Sequence, residues 1–452
     1  MLKRGKIFIK EEEKDIKEIY RRVWKRDFSG NTGQAIKNSS YTFSTTLVQK
    51  IGAIIFTIII ARLLMPELFG LYSLALTTIG FFAVISDLGI SSTLIRFLSK
   101  ELAKNKPNTK GYYNHLLKIK FLLTLFASLI LILSAYWVSN IYYNKPIFYA
   151  LLAGGLYIFI TSFLNFFESI YQSFNNFKKS LVKESIFQAL RLIFIPLIII
   201  FSLKFSDNIL LLNIFLGLSF CYLIALIFLF FKKPILLGKE LNKKQKGQVN
   251  RFILPLTATA LAGVFFANID KIMLGHFVSA EFIGYYAVAF SLVGSVMGFL
   301  SFSGALFPIF SRLKGKKLEK GLGKSIKIVL PASFIVILIT LIFSPLIIKI
   351  IYGAEYSLAI NVLRLFSLLI ISEPLAAIYS NYYISIGKTK FMARLLIFTF
   401  LLNIILNYIL ITALLPRGNL VAVFGAVIAT IISRYVFLFG LVIFRKKSQQ
   451  EV

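Results

Sequence analysis

Apolar residues run through this chain in blocks longer than the buried face of a soluble helix needs. Twelve such blocks lie at 41–64, 70–95, 119–139, 147–172, 182–204, 208–231, 252–275, 282–310, 326–349, 359–386, 391–415 and 419–444. A hydrocarbon core of roughly 30 Å takes about 20 helical residues to cross, so each block predicts a transmembrane helix. The pattern therefore predicts an all-α integral membrane protein with twelve transmembrane helices.

The polar stretches between the blocks set the orientation. Of 51 Lys and Arg, 41 fall in the windows 1–40, 95–120, 173–183, 232–251, 311–327, 387–394 and 445–452, which share one side if the N-terminus is cytoplasmic. The opposite connections hold only Arg62, Lys145, Lys204, Lys271, Lys349 and Arg417. The positive-inside rule then predicts a multi-pass protein of the cell membrane with both termini cytoplasmic.

The longest interior polar segment, 232–251, falls midway and carries Lys232, Lys233, Lys239, Lys243, Lys244 and Lys246. It divides the chain into a cytoplasmic N-terminal segment 1–40, an N-lobe 41–231, a basic linker 232–251, a C-lobe 252–444 and a basic tail 445–452. Two short stretches repeat across that division. Glu67-Leu-Phe-Gly70-Leu-Tyr72-Ser-Leu-Ala75 and Glu281-Phe-Ile-Gly284-Tyr-Tyr286-Ala-Val-Ala289 keep Glu, Gly, Tyr and Ala in register at an offset of 214. Tyr171, Ser173 and Lys178 match Tyr383, Ser385 and Lys390 more weakly at an offset of 212. A duplicated block of six spans explains both, and because six is even the two lobes form a parallel repeat, with a substrate path expected in a central cavity between them.

Composition agrees with the pattern: 58% of the residues are hydrophobic and the mean hydropathy is +0.80. A formal charge of +32 could suggest nucleic acid, but the cations form regular clusters between spans rather than one face, so no nucleic-acid partner is expected. The first forty residues are charged rather than apolar, so no secretory signal is expected. Ile16, Ile19, Tyr20, Val23 and Trp24 share one helical face opposite Lys17, Arg21 and Lys25, which predicts a helix on the inner membrane surface or a solvated tail. Cys221 is the only cysteine and forms no intrachain disulfide.

Candidate chemistry comes from ionisable residues inside spans, each of which should face a partner or a wet cavity. Lys50, Arg191 and Arg434 lie deep. They suit a cationic cavity for an anionic head group, Arg matching phosphate with a planar fork and Lys acting as a point charge; pairing with Asp87, Glu184 or Glu373 is the alternative. Gln49, Asn268, Asn403 and Asn407 could bond sugar hydroxyls or simply tie helices together. Asp87, Glu373 and Asp270 are candidates for a coupling H⁺ or Na⁺. Glu168 and Glu184 are expected to be wet, near the inner interface. Enzyme motifs fail: Gly321-Leu-Gly323-Lys324-Ser325 lacks the earlier glycine of a phosphate-binding loop, and His115 and His276 have no metal-ligand spacing. No enzyme activity, cofactor or metal is expected.

Arg62-Leu-Leu-Met-Pro66-Glu-Leu-Phe-Gly70-Leu-Tyr72, Asp87-Leu-Gly89 with Leu94-Ile-Arg96-Phe, and Asp270-Lys271-Ile-Met-Leu-Gly275 before Gly284-Tyr-Tyr286 carry a family resemblance. Over about residues 35–445 the chain resembles the polysaccharide-transporter branch of the multidrug/oligosaccharidyl-lipid/polysaccharide exporter superfamily. The resemblance implies two six-helix lobes around a central cavity and passage of a polyprenyl-(pyro)phosphate-linked oligosaccharide to the outer leaflet. It draws attention to Lys50, Asp87, Asn268 and Asp270 on the first, second and seventh spans. A peptidoglycan-precursor flippase fits less well, since Phe290 to Phe310 holds no charge. A cation-drug antiporter of the same architecture would want more cavity carboxylates, and a glycan polymerase or ligase would want longer outer loops.

Overall fold

The computed structural model describes residues 30–104, 108–231, 234, 236–300, 310 and 315–450. The predicted surface helix over residues 16–24 lies outside them. In chain order the N-lobe comprises α1 (Gly30–Ile85), α2 (Ile90–Leu102), α3 (Thr109–Tyr136, running on as a π turn to Tyr143), α4 (Phe148–Ser173), α5 (Phe177–Ser202) and α6 (Asp207–Phe230). The C-lobe comprises α7 (Lys243–Phe277), α8 (Ala280–Leu300), α9 (Lys316–Ile351), α10 (Ala359–Phe366), α11 (Leu369–Ser385), α12 (Thr389–Leu414) and α13 (Asn419–Gln450).

Among the described residues ten helices are long and apolar enough to cross a membrane. One of them, Ile36–Ile85, contains the first predicted block and most of the second. At 1.5 Å per residue the 56 residues of α1 would stretch about 84 Å if straight, nearly three hydrocarbon cores. It is not straight: Met65 leaves the helical region (φ 59, ψ 172) just before Pro66. Proline lacks an N–H and so starts the second segment without losing a bond. The block 252–275 lies in α7, and 282–310 begins in α8, whose described part ends at Leu300. Side chains such as Leu133, Phe201 and Ile328 stay exposed, as a lipid-facing surface requires.

Hydropathy does not reveal two breaks. The second span opens between α1 and α2, where Leu88 and Gly89 take positive φ (43° and 85°); a Cβ on Gly89 would also lie 2.5 Å from Leu256. The tenth breaks between α10 and α11, at Ser367 and Leu368. At both breaks tighter turn bonds replace the helical ladder, as in Asp87 N to Val84 O and Leu368 N to Leu365 O.

The repeat seen in the sequence reappears as geometry. Tyr171 donates to Leu229 O at 2.7 Å, and Tyr383 donates to Leu441 O at 2.7 Å; donor and acceptor are each shifted by 212. The stronger repeat brings the lobes together. A Cβ on Gly70 would lie 1.8 Å from Ala280 O, and one on Gly284 would lie 2.1 Å from Pro66 O. Each glycine meets the other's hairpin one turn before the other's glycine, so the duplicated motif packs on itself about a pseudo-two-fold axis.

The linker region is tied to the N-lobe. Lys110 N donates to Leu237 O at 2.9 Å, His115 bonds Asn250 at 3.0 Å, and Asn242 with Gln245 forms a capping box at the start of α7.

Candidate functional site: an interlobe cavity and three buried charge clusters

Among the described residues the two lobes meet at both ends. At the end away from the linker, four side chains donate to backbone carbonyls of the opposite lobe. Arg62 reaches Ile351 O at 2.7 Å and also Ile350 O, and Lys145 reaches Gly275 O at 2.6 Å. His276 Nδ1 reaches Tyr142 O at 2.5 Å, and Tyr356 reaches Ala61 O at 2.8 Å. At the linker end the contacts among the described residues are mostly packing: Leu256 against Gly89, Arg96 over the Phe252 ring at 4.1 Å, with Thr257 bonded to Leu88 O at 3.2 Å beside the His115–Asn250 bond.

Between the mouths lies a cavity of about 220 Å³, lined by Lys50, Ala53, Ile54 and Thr57 of α1 and Ser291, Gly294 and Ser295 of α8. Lys50, on α1, faces α8 of the opposite lobe, and its Nζ donates to Gly298 O at 2.9 Å. At about 30 Å³ per water the space holds roughly seven waters. An oligosaccharide head group needs the lobes to part.

Arg191 and Arg434 do not line this cavity. Depth along a helix gives no azimuth, and α5 turns Arg191 into the N-lobe, over the rings of Phe56 at 4.4 Å and Phe187 at 5.1 Å. Arg434 pairs with Glu373 at 3.1 Å inside the C-lobe, so these two candidates are each other's partner. Gln49 is exposed and is not among the cavity's lining residues. Asn268 donates to Val264 O of its own helix at 3.0 Å.

Asp87 sits in the α1–α2 break. It accepts from Lys120 at 2.6 Å and from Ser91 Oγ at 2.5 Å. Lys120, counted by position among the inner-loop cations, is fully buried. Glu168 and Glu184 also differ from expectation: rather than wet, they flank the buried Lys183 at 2.8 and 3.0 Å. Lys183 too had been assigned to an inner loop. Both lysines lie at the edges of their windows, where a charge count cannot separate a loop from the first turns of a span.

Asp270 has the most distinctive setting. It is 4% exposed and accepts from Tyr286 at 2.8 Å, Asn407 Nδ2 at 2.7 Å and Thr430 Oγ1 at 2.5 Å. These three donors are neutral, and no salt bridge to Asp270 occurs among the described residues. The side-chain oxygens of Asn403 and Asn407, one turn apart on α12, are buried with no partner among the described residues. Asp270 is thus a buried carboxylate held by an amide and two hydroxyls, a setting of oxygen and amide groups that would suit a hard cation or a proton. The sequence reading missed Tyr286 and Thr430, although Tyr286 belongs to the duplicated motif.

A profile of polysaccharide biosynthesis proteins matches residues 35–314. The chain belongs to that family. A MatE profile also matches residues 255–409, and together these place the chain in the exporter superfamily that its motifs resemble. A probable low-salt glycan biosynthesis flippase, Agl15 of Haloferax volcanii, is 25% identical over 184 residues, 39% of this chain and 37% of that protein. The chain thus aligns with little more than a third of that relative. Among solved structures, the lipid II flippase MurJ in an inward closed conformation superposes with a TM-score of 0.67 at 18% identity, covering 89% of this chain and 87% of MurJ. An inward-facing multidrug-resistance MATE transporter gives 0.67 at 16% identity, covering 89% and 96%. An outward-facing MATE structure gives 0.55 at 17% identity, covering 91% and 96%. The fold is therefore that of these multi-pass membrane transporters.

Proposed function

We propose that this member of the polysaccharide biosynthesis family is a flippase. Its substrate is a polyprenyl-(pyro)phosphate-linked oligosaccharide, moved from the inner to the outer leaflet by alternating access, with both termini in the cytoplasm. The observation that carries this reading is the interlobe cavity with Lys50 in its wall and Thr57, Ser291 and Ser295 beside it. An ammonium attracts phosphate and hydroxyls bond sugars, whereas a cationic drug would be repelled. The lipid tail stays in the bilayer while the head group crosses through a polar space, which avoids the cost of desolvating it in hydrocarbon. The name of the Haloferax relative, a probable low-salt glycan biosynthesis flippase, is in keeping with this substrate class.

The coupling ion, H⁺ or Na⁺, is assigned to Asp270, whose oxygens would hold it together with those of Asn403, Asn407 and Thr430. Asp87 and Glu373, the other carboxylate candidates, already have cationic partners. The test is flipping of a fluorescent polyprenyl diphosphate oligosaccharide in proteoliposomes. Lys50→Gln is expected to cut the rate about ten- to hundredfold, the worth of roughly 1.5–3 kcal/mol for a charge-assisted contact. A folded Lys50→Gln protein flipping at the wild-type rate overturns the assignment.

A further inference from the structure

Arg191 carries a charge that neither the interlobe cavity nor the Asp270 cluster uses. It stands near the middle of α5, with about 21 Å of helix between it and Phe177 and about 16 Å between it and Ser202. Its Nε and Nη2 are both buried, and neither has a hydrogen-bond partner among the described residues. These two N–H groups point the same way along one edge of the planar guanidinium, the edge that grips an anion with two parallel bonds. A buried donor left empty is costly, and a cation inside a span needs a partner or a wet space.

Among the described residues no acid meets that edge. The carboxylate on the same helix, Glu184, lies seven residues back, about 10 Å along the axis. Its oxygens already accept from Lys183 at 3.0 Å and from Gln188 at 2.6 Å. At that distance it moderates the charge of Arg191 without filling the fork. The rings of Phe56 and Phe187 take the guanidinium instead, at 4.4 and 5.1 Å. Contact with a ring face answers the charge, but it satisfies none of the in-plane donors.

Around Arg191 the rings form a connected shell drawn from four helices. Phe187 stacks on Tyr222 of α6, with centroids 3.9 Å apart, and Tyr222 meets Tyr157 of α4 edge-on at 5.4 Å. Tyr157 in turn meets Phe215 edge-on at 6.2 Å, and Phe215 stacks on Tyr72 of α1 at 5.7 Å. Tyr72, Tyr157, Tyr222 and Cys221 all lie within electrostatic reach of Arg191. Phenols and thiols are ordinarily neutral at pH 7. The shell thus offers N–H and O–H donors and positive ring edges, which is the chemistry of an anion site. Position limits the size of that anion. Phe56 leaves α1 on a different side from Lys50, Ala53, Ile54 and Thr57, which line the interlobe cavity. The α1 helix therefore stands between Arg191 and the space for a lipid-linked head group, whereas a single-atom anion needs no such space.

We propose that Arg191, with the phenols of Tyr72, Tyr157 and Tyr222, forms a binding site inside the N-lobe for a small inorganic anion of the halide class. The Nε–Nη2 edge holds the ion, and the ion ties α5 to α1, α4 and α6. Water in the same place would satisfy the donors but bring no charge, and the test separates the two. The site does not rest on the glycan substrate, and its test needs none.

Purified full-length protein is melted in detergent while sodium bromide replaces sodium gluconate at constant ionic strength. A ligand of the folded state stabilises it with the logarithm of its concentration, whereas a general salt effect is shared by every variant. The melting temperature of wild type is expected to rise by a few degrees along such a curve. Arg191→Gln is expected to melt at a temperature that bromide does not raise. Arg191→Lys keeps the charge and loses the fork, so its curve should lie at least about tenfold higher in bromide. No rise in wild type, an equal rise in Arg191→Gln, or an unshifted curve in Arg191→Lys overturns the proposal. A second measurement requires no variant. Anomalous diffraction from wild-type crystals grown in bromide should place a peak within hydrogen-bond reach of Arg191 Nε and Nη2; peaks only elsewhere, as beside Lys50, overturn it.

Discussion

Replacing Gly284 by Ala should open the mouth that lies away from the linker. The new Cβ would stand 2.1 Å from Pro66 O, where ordinary contact begins near 3.4 Å, and the obstacle is backbone rather than a movable side chain. The two hairpins must separate by more than an ångström. Tyr356 and Arg62 bond to Ala61 O and to the Ile350 and Ile351 carbonyls beside that contact. Loosening one neutral and one charged bond costs about 2–4 kcal/mol, or a shift of about 30-fold or more in the closed-to-open ratio. The reporter is Thr57→Cys, in the cavity wall, in a Cys221→Ser background that removes the one native thiol. Its reaction with an impermeant maleimide from outside should accelerate by that factor in Gly284→Ala. Gly70→Ala should behave alike, since its Cβ meets Ala280 O in the equivalent place. Unchanged labelling in both folded variants would refute the idea that these glycines hold the mouth shut.

Asp270→Asn should abolish the dependence of transport on an ion gradient, measured by flipping in vesicles with imposed H⁺ or Na⁺ gradients; full gradient dependence in the variant moves the coupling site elsewhere. Arg434→Gln should strand Glu373 and lower the melting temperature in detergent, by less than the ~3–5 kcal/mol of a fully buried pair because both side chains are partly exposed. The double variant with Glu373→Gln should recover most of that loss, and a double variant no more stable than the single one contradicts the pairing. Cysteines at Asn144 and Ser357, both exposed, should label from outside intact cells in the Cys221→Ser background, while one at Lys244 should not; labelling at Lys244 reverses the orientation.

The spans and the duplication were legible because long apolar blocks and register-keeping motifs are properties of sequence order. That Lys50 would meet a partner or a wet space followed from a lone lysine in a span, and it does meet Gly298 O. What stayed hidden depends on rotation and on single dihedrals. Arg191 and Arg434 were expected together, but they project into separate lobes. The kink at Met65 and the break at Leu88 each turn on one or two φ values. Lys120 and Lys183 were mistaken for loop charges, because one helical turn separates a solvated lysine from a buried one.

The mouth away from the linker is fastened by Arg, Lys, His and Tyr donors onto backbone carbonyls, not onto carboxylates. A peptide oxygen offers acid nothing to protonate, and a histidine that already donates through Nδ1 goes on donating when charged. Burial brings Lys145 down to about 8, so alkali removes its charge, but even the neutral amine retains N–H bonds to give. A surface closed this way is deaf to acidification of its surroundings. With the termini inside, as proposed, that seal faces the environment, and its bonds offer the environment's acidity no carboxylate to act on.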